Sequence, residues 1–180
     1  MKVLLDACVL FPTVMREMLL AVAEAGLFQP IWSERILEEW ARAARKIGPG
    51  GEAAARIEIA LLRDRFPGAA IPPAPGIEAR LHLPDENDLH VLAAAIAGSA
   101  DMLLTLNARD FPRGTLAGEG LERRDPDSFL WQLWSDQPDM IAGAAESVRL
   151  RASEIDGQDR ALAPLLKKAR LTRLARALAS

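Results

Sequence analysis

Apolar residues along this chain recur with two different periods. Two short unbroken runs, KVLL (2–5) and MLLTL (102–106), have the length and composition of strands buried on both faces. Elsewhere the apolar positions return every three to four residues, the period of an amphipathic helix. One helix is expected after Pro12, with Thr13 as its N-cap and Gly26 as its stop. Ser33 is positioned to cap a second, ERILEEWARAARK (34–46), and a third runs through EAAARIEIALLRDRF (52–66) after the loop GPGG (48–51). PGAAIPPAPG (67–76) holds too many prolines for regular structure and reads as a surface connection. The segment DENDLHVLAAAIAGSADMLLTLNARDF (85–111) carries a helix and then the second strand. LERRD (121–125) reads as an edge strand, and Asp125-Pro126 caps and opens a helix through SFLWQLW. Residues from about 138 to 178 read as two more helices. Strands alternating with helices imply an α/β fold with a parallel sheet and right-handed crossovers.

Composition narrows this picture. A chain of 180 residues, half of them hydrophobic, can bury a proper core. It reads as one domain over 1–136 followed by a helical C-terminal extension over 137–180. The net charge of −3 gives no global basic signal of a duplex binder, though it leaves room for an enzyme that holds RNA briefly. A single cysteine, Cys8, rules out an internal disulfide framework and suits a reducing, cytoplasmic setting. No stretch is long enough to span a bilayer, and Asp6 breaks the apolar start MKVLLDACVLF, which reads as a buried strand and not as a signal peptide.

The acids are where chemistry enters. In open parallel sheets ligands bind beyond the carboxyl ends of the strands. Asp6 follows KVLL at such an end; Thr105, Asn107 and Asp110 follow MLL at another. At about 100° per residue, Ile36, Leu37, Trp40, Ala43 and Ala44 form one apolar arc. Glu39 lies on the border of that arc, where it can reach the sheet edge or pair with Arg35 four residues earlier, and Glu38 points outward with Arg42 and Arg45. Asp88 falls within the stripe of Leu89, Val91, Leu92, Ala95 and Ile96, at the first turn of its helix. An N-cap at Asp85 with Asp88 at N3 accounts for an acid near the helix start, but not for one on the core side.

Asp6, Glu39, Asp88 and Asp110 can therefore meet at one sheet edge, and four carboxylates do not share water-poor surroundings without counterions. Oxygen-only donors suit the hard cations Mg²⁺ or Mn²⁺, with Asp6, Asp88 and Asp110 as ligands, and no His/Cys group has zinc spacing. Two such ions about 3.5–4 Å apart would support in-line phosphodiester hydrolysis without a protein nucleophile.

The same residues resemble the PIN-domain nucleases, metal-dependent ribonucleases that include many VapC-like toxins of toxin–antitoxin pairs. The resemblance spans roughly residues 1–130 and rests on LLDACVL, SERILEEWAR and, above all, DENDLHVLAAAIAGSADMLLTLNARDF. It maps the family's first acid onto Asp6, its helix-two acid onto Glu39, its third onto Asp88, and its last site onto Asn107 and Asp110. It implies a parallel sheet between helical layers, a divalent metal, an RNA substrate, and as partners an antitoxin protein and a second copy in a homodimer. Position 8 departs from the family, which usually has Asn, Ser or Thr there; Thr105 or a water is then expected to orient Asp6. Two other readings follow from the same resemblance: an RNA-processing PIN nuclease without an antitoxin, and a degenerate PIN domain that binds RNA or protein without cutting. A haloacid-dehalogenase-like phosphatase would need a second Asp where this chain has Cys8.

The remaining chemistry-bearing residues have plainer readings. His90, about 200° from Asp88 on the helix, is expected to face away from the stripe, and His82 to lie in a loop or strand. Trp32, Trp40, Trp131 and Trp134 read as packing residues. Arg16, Arg109 and Arg113 lie near site segments and could hold a phosphate. The tail LLKKARLTRLARALAS (165–180) reads as a helix docked by Leu171, Leu174 and Leu178, with five basic residues that either are simply solvated or guide RNA.

Overall fold

The computed structural model describes residues 1–179. Strand β1 (Lys2–Leu5) leads into the short helix α1 (Ala7–Leu10) and then α2 (Thr13–Glu24). β2 (Gln29–Ser33), α3 (Glu34–Ala43) and α4 (Gly51–Arg65) follow, and then β3 (Ala70–Ile71), α5 (Pro75–Glu78), α6 (Leu89–Ala97) and β4 (Met102–Leu104). The chain continues through α7 (Arg113–Gly118), β5 (Glu122–Arg124), α8 (Pro126–Asp136), α9 (Pro138–Asp156), α10 (Leu162–Lys168) and α11 (Thr172–Ala177).

These elements form two compact units, one of residues 1–11 and 29–123, the other of residues 12–28 and from 124 onward. The first holds the sheet, ordered β3-β2-β1-β4-β5. β1 pairs in parallel with β2 on one side and β4 on the other, with Leu4 opposite Ile31 and Leu103, and β2 pairs in parallel with β3. Val3, Leu4, Leu5, Leu103 and Leu104 are wholly buried, as central strands of a parallel sheet covered on both faces must be. Apolar positions of α3 (Ile36, Leu37, Trp40) and α6 (Val91, Leu92, Ala95) are buried in this same unit. Trp32 is fully buried with its ring edge-on to Phe66, the centroids 6.0 Å apart. The sheet is the α/β arrangement expected from the sequence.

Two of its strands are not in that expectation. β2 is QPIWS, and a proline within a short apolar run argues against a strand. Pro30 is accommodated opposite Val3 in a register that the flanking Ile31 and Trp32 fix by burial. β3 lies inside the proline-rich stretch expected to be irregular: Trp32 N donates to Ala69 O at 3.0 Å, and Pro72 follows the two-residue strand. At the start of α2, Pro12 takes the cap position and Thr13 is the first helical residue. Ser33 caps α3 as expected, its hydroxyl accepting from Ile36 N.

The second unit is helical. Met15, Met18, Leu19 and Val22 of α2 repeat at i, i+3, i+4 and i+7, and so do Ile141, Ala144, Ala145 and Val148 of α9; all eight are buried where the two helices pack. Phe28 meets Phe129 of α8 edge to face at 5.2 Å. Residues from 138 onward form three helices, not two. The run read as one helix from 165 breaks at Arg170, whose φ of 62° is left-handed. Leu171 N donates to Leu166 O there, the six-to-one bond of a Schellman stop. The N-terminus of α11 is then capped from a distance: Asp127 accepts from Arg173 N at 2.8 Å and Leu174 N at 3.0 Å.

Gly98 closes α6 against the sheet. A Cβ built there would lie 2.6 Å from Ile31 Cδ1 and 3.0 Å from two side-chain atoms of Ile71. Gly98→Val should therefore destabilise the fold by about 1–3 kcal/mol through overpacking. Urea unfolding tests this, and an unchanged midpoint would show that the two isoleucines move aside freely.

Candidate metal centre

The site begins at the end of β1. The Asp6 amide donates to Leu104 O at 3.2 Å, and its carbonyl accepts from Val9 and Leu10 to start α1, so its side chain stands where strand becomes helix. The residue is 7 % exposed. Its Oδ2 accepts from the Thr105 hydroxyl at 2.7 Å and from Cys8 Sγ at 3.1 Å. Thr105 Oγ1 also accepts from Asn107 N at 2.9 Å, which ties the turn after β4 to the same carboxylate. Thr105 thus orients Asp6, and Cys8 joins it: Sγ also accepts from Leu106 N at 3.2 Å. Burial first, and then the neighbouring charge of Asp6, push the Cys8 thiol up to about 12, so it keeps its proton.

A second group of acids comes from the DEND segment. Asp85 caps a single 3₁₀ turn, Glu86–Asp88, by accepting from Asn87 N at 2.9 Å. That turn delivers Asp88 to the start of α6, where its Oδ2 accepts from Asn107 Nδ2 at 3.2 Å. Asp85, Asp88 and Asp110 each offer a carboxylate oxygen within 4.8 Å of the other two. Among the described residues this is the one group of three or more acidic, His or Cys side chains so arranged. Asp88 is pushed up to about 6, by burial first and then by the charges of Asp6, Asp85, Asp110 and Glu39. The other three acids singled out from the sequence, Asp6, Asp110 and Glu39, thus each act on Asp88. Asp85, read from the sequence only as a helix cap, makes a fifth. The signal was its place three residues before Asp88, at the opposite end of the same one-turn helix.

Glu39 stands at the rim. It is 40 % exposed, with Oε1 3.8 Å from Arg35 Nε and 2.7 Å from His90 Nε2. Glu38 points away from the site, paired with Arg42 and Arg56, and Arg45 pairs instead with Glu52. His90, read from helical phase as lying off the apolar stripe, is only 5 % exposed, because α6 is buried continuously from His90 to Ala95. Neither of its ring nitrogens is aligned for a hydrogen bond. Of the arginines weighed as phosphate holders, Arg109 and Arg113 are exposed and Arg16, in the second unit, is buried.

A divalent cation fits this donor set. Three carboxylates share one small volume with two more acids close by, and the outermost oxygens have few protein donors to neutralise them. Asp85, Asp88 and Asp110 would hold the ion, with Asp6 fixed beside them. The raised Asp88 value has a consequence for stability. The folded state binds this proton more tightly than an ordinary aspartate, whose value is 3.8. Asp88 therefore contributes stability to the metal-free protein that is fully present below that value and is lost as pH rises through about 6. Asp88→Asn should melt higher than the parent at about pH 7.5 without metal and converge with it at the acid end of this window. Adding Mn²⁺ should raise the parent's melting temperature more than the variant's. Equal melting curves at both pH values would exclude the repulsion as a cost to the fold.

Comparison with known proteins supplies the frame for this geometry. No curated protein and no solved structure matches the chain. A family model described as PIN domain matches residues 2–109, which takes in β1 through β4, Asp6, Glu39, Asp85, Asp88, Thr105 and Asn107 and stops one residue short of Asp110. PIN domains are generally metal-dependent nucleases, and the acidic cluster suits that chemistry. The chain belongs to the PIN-domain family.

Proposed function

We propose that the protein is a divalent-metal-dependent endoribonuclease that uses Mg²⁺ or Mn²⁺. The observation that carries this reading is the oxygen-only cluster of Asp85, Asp88 and Asp110 beside Asp6 on a PIN-domain framework. A divalent cation held there supplies the Lewis acidity that phosphodiester hydrolysis calls on. The chain's own residues give it a fixed bed. Thr105 fixes Asp6, Asn107 orients Asp88, and the protonated Cys8 takes no part as a nucleophile. The buried His90 lies beside Glu39 at the rim, its Nε2 2.7 Å from Glu39 Oε1.

The substrate in this reading is RNA, and the cellular role is the toxin half of a toxin–antitoxin pair in the cytoplasm, acting as a homodimer and neutralised by an antitoxin protein. The support is the resemblance of LLDACVL and of the long 85–111 segment to VapC-like toxins. A small co-transcribed DNA-binding protein encoded next to this chain favours that role over RNA processing.

The decisive assay is cleavage of a mixed RNA pool with Mn²⁺ and with EDTA. The parent should cut only with metal. Asp6→Asn should lose more than about 100-fold of the rate without a lower melting temperature, since the amide oxygen can still accept from Thr105. An Asp6→Asn protein that cuts at the parent's rate in saturating Mn²⁺ would remove Asp6 from the machinery. A parent indifferent to EDTA would refute metal-dependent cleavage altogether.

A further inference from the structure

From Lys167 to the described end at residue 179 the chain has no acid, and five basic residues, Lys167, Lys168, Arg170, Arg173 and Arg176, fall within ten positions. Whole-chain charge is −3, so everything outside this segment stands at −8. The chain thus concentrates positive charge in one place against an otherwise acidic background.

The structure adds three things that the sequence does not. First, of the three leucines expected to dock the tail Leu171 and Leu174 are fully buried and Leu178 only partly so, Leu166 is buried with them, and all five basic residues are exposed. Second, none of the five has a carboxylate partner among the described residues. Most of the chain's other arginines differ in this: Arg35, Arg42, Arg45, Arg56, Arg63, Arg80, Arg149 and Arg160 are each ion-paired. The nearest acid, Asp127, is spent on the backbone amides of Arg173 and Leu174. Third, the helix break at Arg170 folds the segment back on itself. Lys167 and Lys168 end α10, Arg170 occupies the turn, and Arg173 and Arg176 lie one turn apart on α11. The Arg173 guanidinium is held 3.5 Å over the ring of Trp131, which sets its direction.

We infer that this helix–turn–helix face of the second unit is a docking surface for the phosphodiester backbone of single-stranded RNA. The inference deepens the ribonuclease reading and rests on it for the choice of polyanion. Unpaired, exposed cations within a few turns of helix fit a row of phosphates, which they would bind without reading sequence. The face lacks what other anionic partners need. No large apolar side chain is exposed from residue 160 to 179, so the segment itself carries no wedge for a bilayer; the nearest, Ile155, lines a cavity beside Lys168 alone of the five cations. Without metal the acidic pocket repels phosphates, and a basic surface elsewhere on the chain would supply affinity that the pocket does not.

The test measures binding apart from cleavage. Anisotropy of a fluorescent mixed-sequence single-stranded RNA is titrated with the full chain in EDTA across a range of salt. Replacing all five residues by Gln should weaken binding at least about tenfold at about 50 mM salt and lower the log–log salt slope by about 2–3. Metal-induced thermal stabilisation should stay as in the parent, which shows that the variant is folded. A variant with Arg170, Arg173 and Arg176 all changed to Lys should keep the parent's slope, since charge and not shape sets it. Unchanged affinity and slope in the folded Gln variant would overturn the inference. So would a parent that binds poly-glutamate or phosphatidylserine vesicles through these residues while RNA fails to compete. Failure of the ribonuclease reading shows separately, as absence of metal-dependent cleavage by a parent that still binds RNA through this face.

Discussion

Mutual repulsion among carboxylates is the constraint around which the first unit is arranged. Asp6, Glu39, Asp85, Asp88 and Asp110 come from four separate stretches of chain, and each is brought to the group by backbone structure that is stable for other reasons. Asp6 sits where a wholly buried strand turns into a helix; Asp88 sits where a 3₁₀ turn becomes α6. Neutral donors, the Thr105 hydroxyl and the Asn107 amide, hold Asp6 and Asp88 without cancelling their charge. A pocket so built stays anionic and is stabilised by whatever cation enters it.

Much of this was visible in the residues themselves. The strands around the centre of the sheet announce themselves as apolar runs, and helical phase alone placed Asp88 on the core side and Glu38 on the solvent side. What stayed hidden has identifiable physical causes. β2 carries a proline, so local propensity spoke against a strand that tertiary burial of Ile31 and Trp32 enforces. β3 has two residues and no pattern to read. His90 was read as lying off the apolar stripe, and its burial there could not be seen because it comes from α6 being covered nearly all round, with small alanines from 93 to 95. Asp85 was hidden because one carboxylate can cap a turn and still lend an oxygen to the cluster.

The second unit divides its residues differently. Its apolar positions repeat so regularly along α2 and α9 that the packing follows from the periodicity. The chain's return to one long helical period after residue 165 was misleading, however. Arg170 takes a left-handed conformation at a place with no glycine to signal it, and Asp127, more than forty residues earlier in the chain, supplies the cap that lets a new helix start. Long-range capping of this kind leaves no local trace in sequence. It also fixes where α11, the helix that carries Arg173 and Arg176, begins.

Cys8 gives the pocket a tolerance to oxidants. Peroxides and alkylating agents react with the thiolate, and a thiol raised to about 12 offers almost none at neutral pH. Were Cys8 oxidised to a sulfinic acid, a new anion would stand beside Asp6 Oδ2, 3.1 Å from the present sulfur, and would displace the hydrogen bond from Leu106 N. By crowding the sulfur between a carboxylate and a buried hydroxyl, the fold keeps the one thiol of the site protonated, the form that reacts slowly with oxidants.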